Sequence, residues 1–383
     1  MNVPKLRFKE FNDELSNHKF KDICTFFSGG TPTSSNKEYY NGDIPFIRSG
    51  EIYSDNTELF INQDAINNSS AKLVNKGDLL LALYGATSGN VAISKIDGAI
   101  NQAILCINPQ YGYSKVYIKY LLENKKETIL KTFLQGGQGN LSAEIIKNLN
   151  YSFPQIEEQE KIGDFLSLLD KKIELQTKKI EDLKLFKKGL INHIIKNIEI
   201  EKIPLKNILV EQNNKTSKNN EYEILSSTSK GLYLQKDYFN KQAASDNNVG
   251  YKILKKNQLV LSPQNLWMGN INVNTEYNIG IVSPSYKIFN ISNNVNIDFF
   301  NYWIKSPKAL FEYKISSEQG ASIVRRNLNM DLFYEIIVDL PRGKLQNKVG
   351  KIIKLLNLNI QYNEFLLQKL LELKKGLMQN MFV

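Results

Sequence analysis

Residues 154–195, PQIEEQEKIGDFLSLLDKKIELQTKKIEDLKLFKKGLINHII, return 187 positions later as residues 341–382, PRGKLQNKVGKIIKLLNLNIQYNEFLLQKLLELKKGLMQNMF. The two stretches align without a gap, and 12 of the 42 paired positions are identical, ending in a shared KKGL block at 187–190 and 374–377. A 4–3 spacing selects Ile162, Leu166, Leu169, Ile173, Gln176, Ile180, Leu183, Lys187, Leu190 and Ile194 in the first copy. In the second it selects Val349, Ile353, Leu356, Ile360, Asn363, Leu367, Leu370, Lys374, Leu377 and Met381. That is a heptad seam, in which apolar a and d residues bury against a partner helix. Both copies break the seam at the same places, with an amide (Gln176, Asn363) and a lysine (Lys187, Lys374). Polar core positions lower stability but fix register, so the two amides are expected to meet when the helices pair.

Each copy predicts one helix of about 40 residues, about 60 Å at about 1.5 Å per residue. Pro154 and Pro341 sit just before the helix starts, where a missing N–H costs little. Glu157, Glu158 and Glu160 suit the first turn of copy one through the macrodipole, and copy two lacks them. A whole globular stretch separates the copies, which favours an antiparallel pair within one chain over an oligomerisation coiled coil. The expected segments are a globular domain at 1–154, a helix at 155–200, a second globular domain at 201–340 and a helix at 341–383.

The globular stretches are rich in short β-like runs: DLLLALYG (78–85), NVAIS (90–94) and AILCIN (103–108), then QLVLSP (258–263), GIVSPSYKIF (280–289) and EIIVDLP (335–341). Turn residues punctuate them at Gly29-Gly30, Asn41-Gly42, Ser88-Gly89-Asn90 and Gly269-Asn270. Helical stretches are expected at 116–134 and 299–313. The fold class is therefore α+β, two globular domains separated by two long helices that pair as an antiparallel coiled coil with pseudo-two-fold symmetry.

At 383 residues with 42% hydrophobic and 23% charged side chains, the chain can bury ordinary cores. No run of about 18 apolar residues occurs, so no membrane contact is expected. The N-terminus MNVPKLRFKEF does not read as a signal peptide. Two cysteines, Cys24 and Cys106, are too few for a disulfide framework, and the cytoplasm is the expected compartment. The net charge of +10 favours nucleic acid only weakly, because residues 342–383 alone hold 8 basic and 2 acidic side chains.

Catalytic signatures are missing. His18 and His193 are isolated, no His/Cys cluster has metal-ligand spacing, and no GxxxxGK[ST] loop is present. Asn108-Pro109-Gln110-Tyr111 has one feature of an adenine methyltransferase motif but lacks its second proline and a glycine-rich cofactor loop, and reads as a turn after a strand.

The order of divergent domain, repeat helix, divergent domain, repeat helix resembles the DNA-specificity (S) subunit of Type I restriction–modification systems. Local strings carry the same resemblance: FFSGGTP (26–32), GDIPFIRSGEI (42–52), GDLLLALYGATSGNVAI (77–93), AINQAI (99–104), FPQIEEQEKI (153–162), NLWMGNI (265–271) and GIVSPSY (280–286). The second helix departs from the pattern in lacking the acidic start. The resemblance implies a non-catalytic subunit that reads two halves of an asymmetric, interrupted site in double-stranded DNA. The helix pair would set the spacer, near one helical turn between half-site centres (roughly 34–36 Å). The implied partners are two modification subunits, which use S-adenosylmethionine, and two restriction subunits, which use ATP and Mg. No cofactor is expected on this chain itself.

Loop residues able to approach DNA are Arg48, Ser49, Tyr84, Thr87 and Ser88 in the first half, with Gln138, Asn140 and Ser142 in a later loop. In the second half Gln264, Asn265 and Trp267 take the equivalent place, followed by Ser322, Arg325 and Arg326. Small residues allow close backbone approach, and hydroxyls, amides and guanidiniums can touch phosphates or base edges. Trp267 also suits a core or interface. The alternatives are a non-enzymatic coiled-coil scaffold whose heads bind protein or carbohydrate, and a DNA methyltransferase in its own right.

Overall fold

The LLLAL run at 79–83 lies at the centre of the first globular domain in a computed structural model of the chain, which describes residues 3–133, 140–238, 247–319 and 325–383. Its strand, Leu79–Ala82, sits in a four-stranded antiparallel sheet of order Cys24–Ser28, Ile104–Pro109, Leu79–Ala82, Val91–Ile93. Alternate side chains leave a strand on opposite faces. Leu79, Leu81, Leu105 and Ile107 accordingly join the core under the helix Lys115–Phe133. Leu80, Ala82, Ile104 and Cys106 face a second layer with Ile47, Val74 and Ile100. Both faces are buried, which is why the run is continuously apolar rather than alternating. The second layer runs Phe60–Ile61, Ile44–Ile47, Gly98–Ile100, Lys72–Val74, with one parallel pairing, Phe46 and Ile47 against Ala99 and Ile100.

The second domain repeats the plan with other residues. Its sheet runs Leu209–Gln212, Lys287–Ile291, Leu259–Leu261, Ile271–Val273, all antiparallel. Leu259, Leu261 and Phe289 point to the helix side, while Val260 and Ile288 point to the other layer. That layer is in two pieces, Leu225–Ser227 with Leu232–Leu234 and Lys252–Lys255 with Ile279–Val282, joined by a parallel bridge of Ile224 to Ile281. In each domain a terminal strand closes against the strand before the long helix: Ser16–Lys19 on Asn150–Phe153, and Ile200–Pro204 on Ile337–Pro341.

Two expected elements are divided. The run 280–289 is two strands, because Ser283-Pro284-Ser285 interrupts the ladder. The helix expected at 299–313 is Ile297–Trp303 followed by Pro307–Ile315. Pro307 has no N–H to continue the first helix, and Ser306 caps the second by accepting from Ala309 N. In the first domain the helix is continuous from Lys115 to Phe133, and the expected Leu134 lies outside the described residues.

The long helices are Ile156–Lys196 and Lys344–Met381. The chain divides into two units that do not follow the linear segments: residues 1–178 with 365–383, and residues 179–364. Each unit therefore holds one globular domain, the start of the helix that follows it and the end of the other helix. Within the first unit Ile162 and Leu166 share a core with Met378, Met381 and Phe382. Within the second, Ile191 shares a core with Val349 and Ile353. A helix start thus packs on a helix end in both, the antiparallel sense. Ile191 and Met378 are equivalent repeat positions outside the heptad seam. They are buried because a helix end here meets the domain core as well as its partner helix, so the apolar face widens beyond a and d.

Two repeat identities are explained by how each domain docks on its helix. Buried Gln159 accepts from the backbone N–H of Ser114 at 3.0 Å, and buried Gln346 accepts from that of Asn296 at 2.9 Å. Ser114 and Asn296 begin the domain helices, their side chains accepting from Tyr117 N and Phe299 N. The long-helix glutamine so satisfies an orphan donor at the domain helix start. Gly163 and Gly350 lie under the same starts. A Cβ on Gly163 would stand 3.1 Å from Val116 Cγ1, and one on Gly350 only 2.1 Å from Asn296 Oδ1. Glu158, expected as a first-turn dipole residue, is instead buried in a bidentate pair with Arg7 at 2.7 and 2.8 Å.

Candidate nucleic-acid interface

In the first unit the chain leaves the strand Leu79–Ala82 through a tight turn, Gly85–Thr87, flanked by Gly85 and Gly89 at φ +72° and +78°. Left-handed backbone favours glycine at both positions. Leu83 O is the anchor of the turn, accepting from Ser88 Oγ at 2.9 Å and Leu141 N at 3.0 Å. Asn140 Oδ1 accepts from Gly85 N at 3.4 Å, and Ser142 caps the short helix Ala143–Lys147. The structure therefore brings Tyr84, Thr87, Asn140 and Ser142, from two separate sequence regions, to one place. Tyr84 and Asn140 are exposed there, and Thr87 is half-buried with its hydroxyl on Tyr84 O. Ser88 differs: its side chain is buried and its hydroxyl fastens the turn, so it offers no surface group. Gln138 lies outside the described residues.

Arg48 is also occupied. Its guanidinium forms a fork on Glu51 at 3.0 and 3.1 Å and pairs with Glu58, while Glu51 also accepts from the N–H groups of Arg48 and Glu58. The hydrogen bonds to Glu51 and Glu58 hold the guanidinium even more firmly protonated than an ordinary arginine. Glu51 and Glu58 were not among the sequence candidates. They make Arg48 a brace for the 48–58 loop, with Ser49 half-buried beside it.

The second unit builds the same junction. After Leu259–Leu261 comes the turn Leu266–Met268, closed by Gly269 at φ +84°. Arg326 N donates to Gln264 O at 3.1 Å, the counterpart of Leu141 N on Leu83 O. Gln264 is exposed, and Asn265 and Trp267 are half-buried. The Arg326 guanidinium is spent on Ser317 Oγ at 2.9 Å and on the carbonyls of Ser317 and Lys314, the end of the helix Pro307–Ile315. It joins Ser316 N and Ser317 Oγ on the Lys314 carbonyl at that helix end, a structural role that the sequence reading did not foresee. Exposed Arg325 precedes it, and Ser322 lies outside the described residues.

A lysine on the helix Lys115–Phe133 and one between the helices Ile297–Trp303 and Pro307–Ile315 steady the two turns. Lys126 Nζ donates to Asn90 Oδ1 at 2.6 Å, and Lys305 Nζ donates to Gly269 O at 2.6 Å and Ser229 O at 3.2 Å. Burial lowers Lys305 to about 8. Burial also pushes the thiols of Cys24 and Cys106 up to about 12, which leaves neither as a nucleophile at neutral pH. Among the described residues no His, Cys, Asp and Glu side chains form a group able to hold a metal, and no helix is long and apolar enough to cross a membrane.

The seam lysines have equivalent partners. Lys374 reaches Asp170 at 2.7 Å and Glu123 at 2.8 Å, and Lys187 reaches Asn357, the repeat counterpart of Asp170, at 2.5 Å. Each stands near a tyrosine ring of its domain helix, Tyr120 at 5.4 Å and Tyr302 at 5.7 Å. Of the two amide breaks, half-buried Gln176 belongs to the first unit and buried Asn363 to the second, where Asn363 Nδ2 donates to Asn359 O and Oδ1 at 2.8 Å.

Residues 12–185 match the family described as the Type I restriction modification DNA specificity domain. Over 197 residues the chain is 32% identical to the specificity subunit of the Type I restriction enzyme MjaIX of Methanocaldococcus jannaschii, covering 49% of this chain and 44% of that protein. Over 182 residues it is 28% identical to the HindI specificity subunit of Haemophilus influenzae, covering 45% and 36%. The chain thus spans under half the length of these curated relatives. The crystal structure of a Type I restriction–modification S subunit from M. genitalium superposes with a TM-score of 0.63 at 15% identity, covering 100% of this chain and 99% of that one. A chain from a structure on complex assembly and conformational transition of the type I R-M system gives 0.54 at 9%, covering 98% and 99%. These two likenesses concern the fold. Residues 12–185 thus match the Type I restriction modification DNA specificity domain, and the chain as a whole shares the fold of a Type I S subunit.

Proposed function

We propose that this chain reads the two halves of an interrupted site in double-stranded DNA for a Type I restriction–modification complex and does no chemistry itself. One observation carries the reading. Both units build the same loop junction beside the central strand, but fill it with different side chains: Tyr84, Thr87, Asn140 and Ser142 in one, Gln264, Asn265, Trp267 and Arg325 in the other. One scaffold with two unlike surfaces suits two unlike half-sites. Arg48 and Arg326 act from behind, as braces of their loops.

Docking of the modification subunits has its own support. Leu168 and Leu355 are identical repeat positions, yet 69% and 57% exposed. Phe165, Leu175, Leu358 and Tyr362 are also exposed on the long helices. Apolar residues kept on a solvent face mark interaction surfaces. In this reading the partner subunits supply S-adenosylmethionine chemistry, and the restriction subunits supply ATP- and Mg-dependent cleavage.

The test is to map methylated adenines in DNA from cells carrying the intact system, with and without one heptad inserted after Ile180 and another after Leu367. The expected result is a two-part site whose spacer lengthens while both half-sites stay the same. An unchanged spacer would remove the helices from the role of ruler, and a chain that confers no site preference on the complex would refute DNA reading altogether.

A further inference from the structure

Lys374 and Lys187 line equivalent cavities, one in each unit. The first, about 530 Å³, holds Lys374, Lys119 and Lys95 with the carboxylates of Asp170 and Glu123. The second, about 400 Å³, holds Lys187, Lys305 and Lys230, with Asn357 where the first has Asp170. The other carboxylate is replaced as well. Glu123 lies nine residues after Ser114, the start of the first domain helix, and Lys305 lies nine residues after Asn296, the start of the second. An Asp/Glu pair in one cavity is thus an Asn/Lys pair in the other.

Among the described residues neither half-buried lysine of the second cavity has an ion pair: Lys187 donates to an amide, and Lys305 donates to two backbone carbonyls. The cavity's acidic lining is Glu276, which is exposed. Lys374, by contrast, makes two ion pairs. A half-buried ammonium in a polar cavity without a counter-charge is an incomplete site. Burial lowers both Lys187 and Lys305, whereas the carboxylates around Lys374 hold it up against the burial that would lower it.

We propose that the second-unit cavity binds a phosphate-class oxyanion between Lys187 and Lys305, in the place where the first unit keeps its own carboxylates. The anion could come from a nucleic-acid backbone or from a free phosphorylated solute, since the recognising chemistry is the same. It does not depend on the DNA reading above.

The test is calorimetric titration of the full chain with inorganic phosphate at pH 7 in low chloride. One saturable site is expected, weakened at least tenfold in both Asn357→Asp and Lys305→Met. The aspartate would pair with Lys187 as Asp170 pairs with Lys374, so that variant should keep the wild-type melting profile. No saturable binding, or wild-type affinity in both variants, overturns the proposal. Repeating the titration with a 20-base-pair duplex present separates the sources. Loss of the phosphate site then assigns it to a backbone phosphate, and persistence assigns it to a free solute.

Discussion

Lys374 and Lys187 occupy one position of one repeat, contact the same position of the opposite helix and stand near equivalent tyrosines, yet they live in opposite electrostatic settings. In the first unit the lysine is neutralised by two carboxylates. In the second its neighbours are an amide and another lysine. The repeat has kept the geometry of the junction, which depends on backbone and small residues: the glutamine on the domain helix start and the glycine beneath it. Charge was free to change, because it depends on side chains that each domain contributes separately. Similarity of position is therefore poor grounds for similarity of role in this molecule.

Deleting each lysine gives the sharpest break in the comparison. Breaking a fully buried ion pair by removing one partner costs about 3–5 kcal/mol. Asp170 and Glu123 are about a third exposed, so screening should reduce the cost of Lys374→Met to about 2 kcal/mol. Lys187→Met removes a charge that burial already disfavours and keeps the apolar stem, so it should stay within about 1 kcal/mol of wild type. Urea denaturation of both variants checks this, and equal losses would erase the distinction between the units.

The glycines give the next contrast. Gly350→Ala drives a methyl into the Asn296 side chain, which must give up its cap on Phe299 N, a loss of about 1 kcal/mol. Gly163→Ala meets Val116 Cγ1 at 3.1 Å and Tyr117 N at 3.4 Å and should cost less. A larger loss at 163 than at 350 would mean that the two docking contacts are not alike.

The smallest effect is one of pH. Burial alone would raise the Asp170 carboxyl, but the hydrogen bond from Lys374, the charge of Lys119 and the Tyr120 hydroxyl together bring it below the usual carboxylate value. Its contribution is complete above the unfolded value of about 3.9 and is lost as pH falls through the lower folded value. Asp170→Asn should be less stable than wild type at pH 7, with the two converging at the acid end. Parallel melting curves from pH 7 to 2 would contradict the pairing.

Much of this was legible beforehand. The repeat, its polar breaks and the β runs around LLLAL follow from periodicity, which is a local property, and the antiparallel sense follows from the domain lying between the copies; the strand order came only with the structure. The equivalence of the loops at 84–89 and 264–269 was legible too, from their place after a matching strand. The candidate contacts fared unevenly. Tyr84, Thr87, Asn140, Ser142 and Gln264 do gather at the two junctions, whereas Ser88 fastens a turn and Arg48 and Arg326 are committed to neighbours. Glu51 and Ser317 look ordinary in a sequence, and nothing in local pattern reveals that they hold those guanidiniums.

By itself, then, the amino-acid sequence determined a duplicated architecture: two divergent domains, each followed by the same heptad helix, because spacing and period are written along the chain. Tertiary structure alone decided which charges are satisfied. Whether Lys374, Lys187, Arg48 or Arg326 meets a carboxylate, a carbonyl or an open cavity depends on segments up to 251 residues apart in the chain coming together, and the worth of each charge depends on the burial found there.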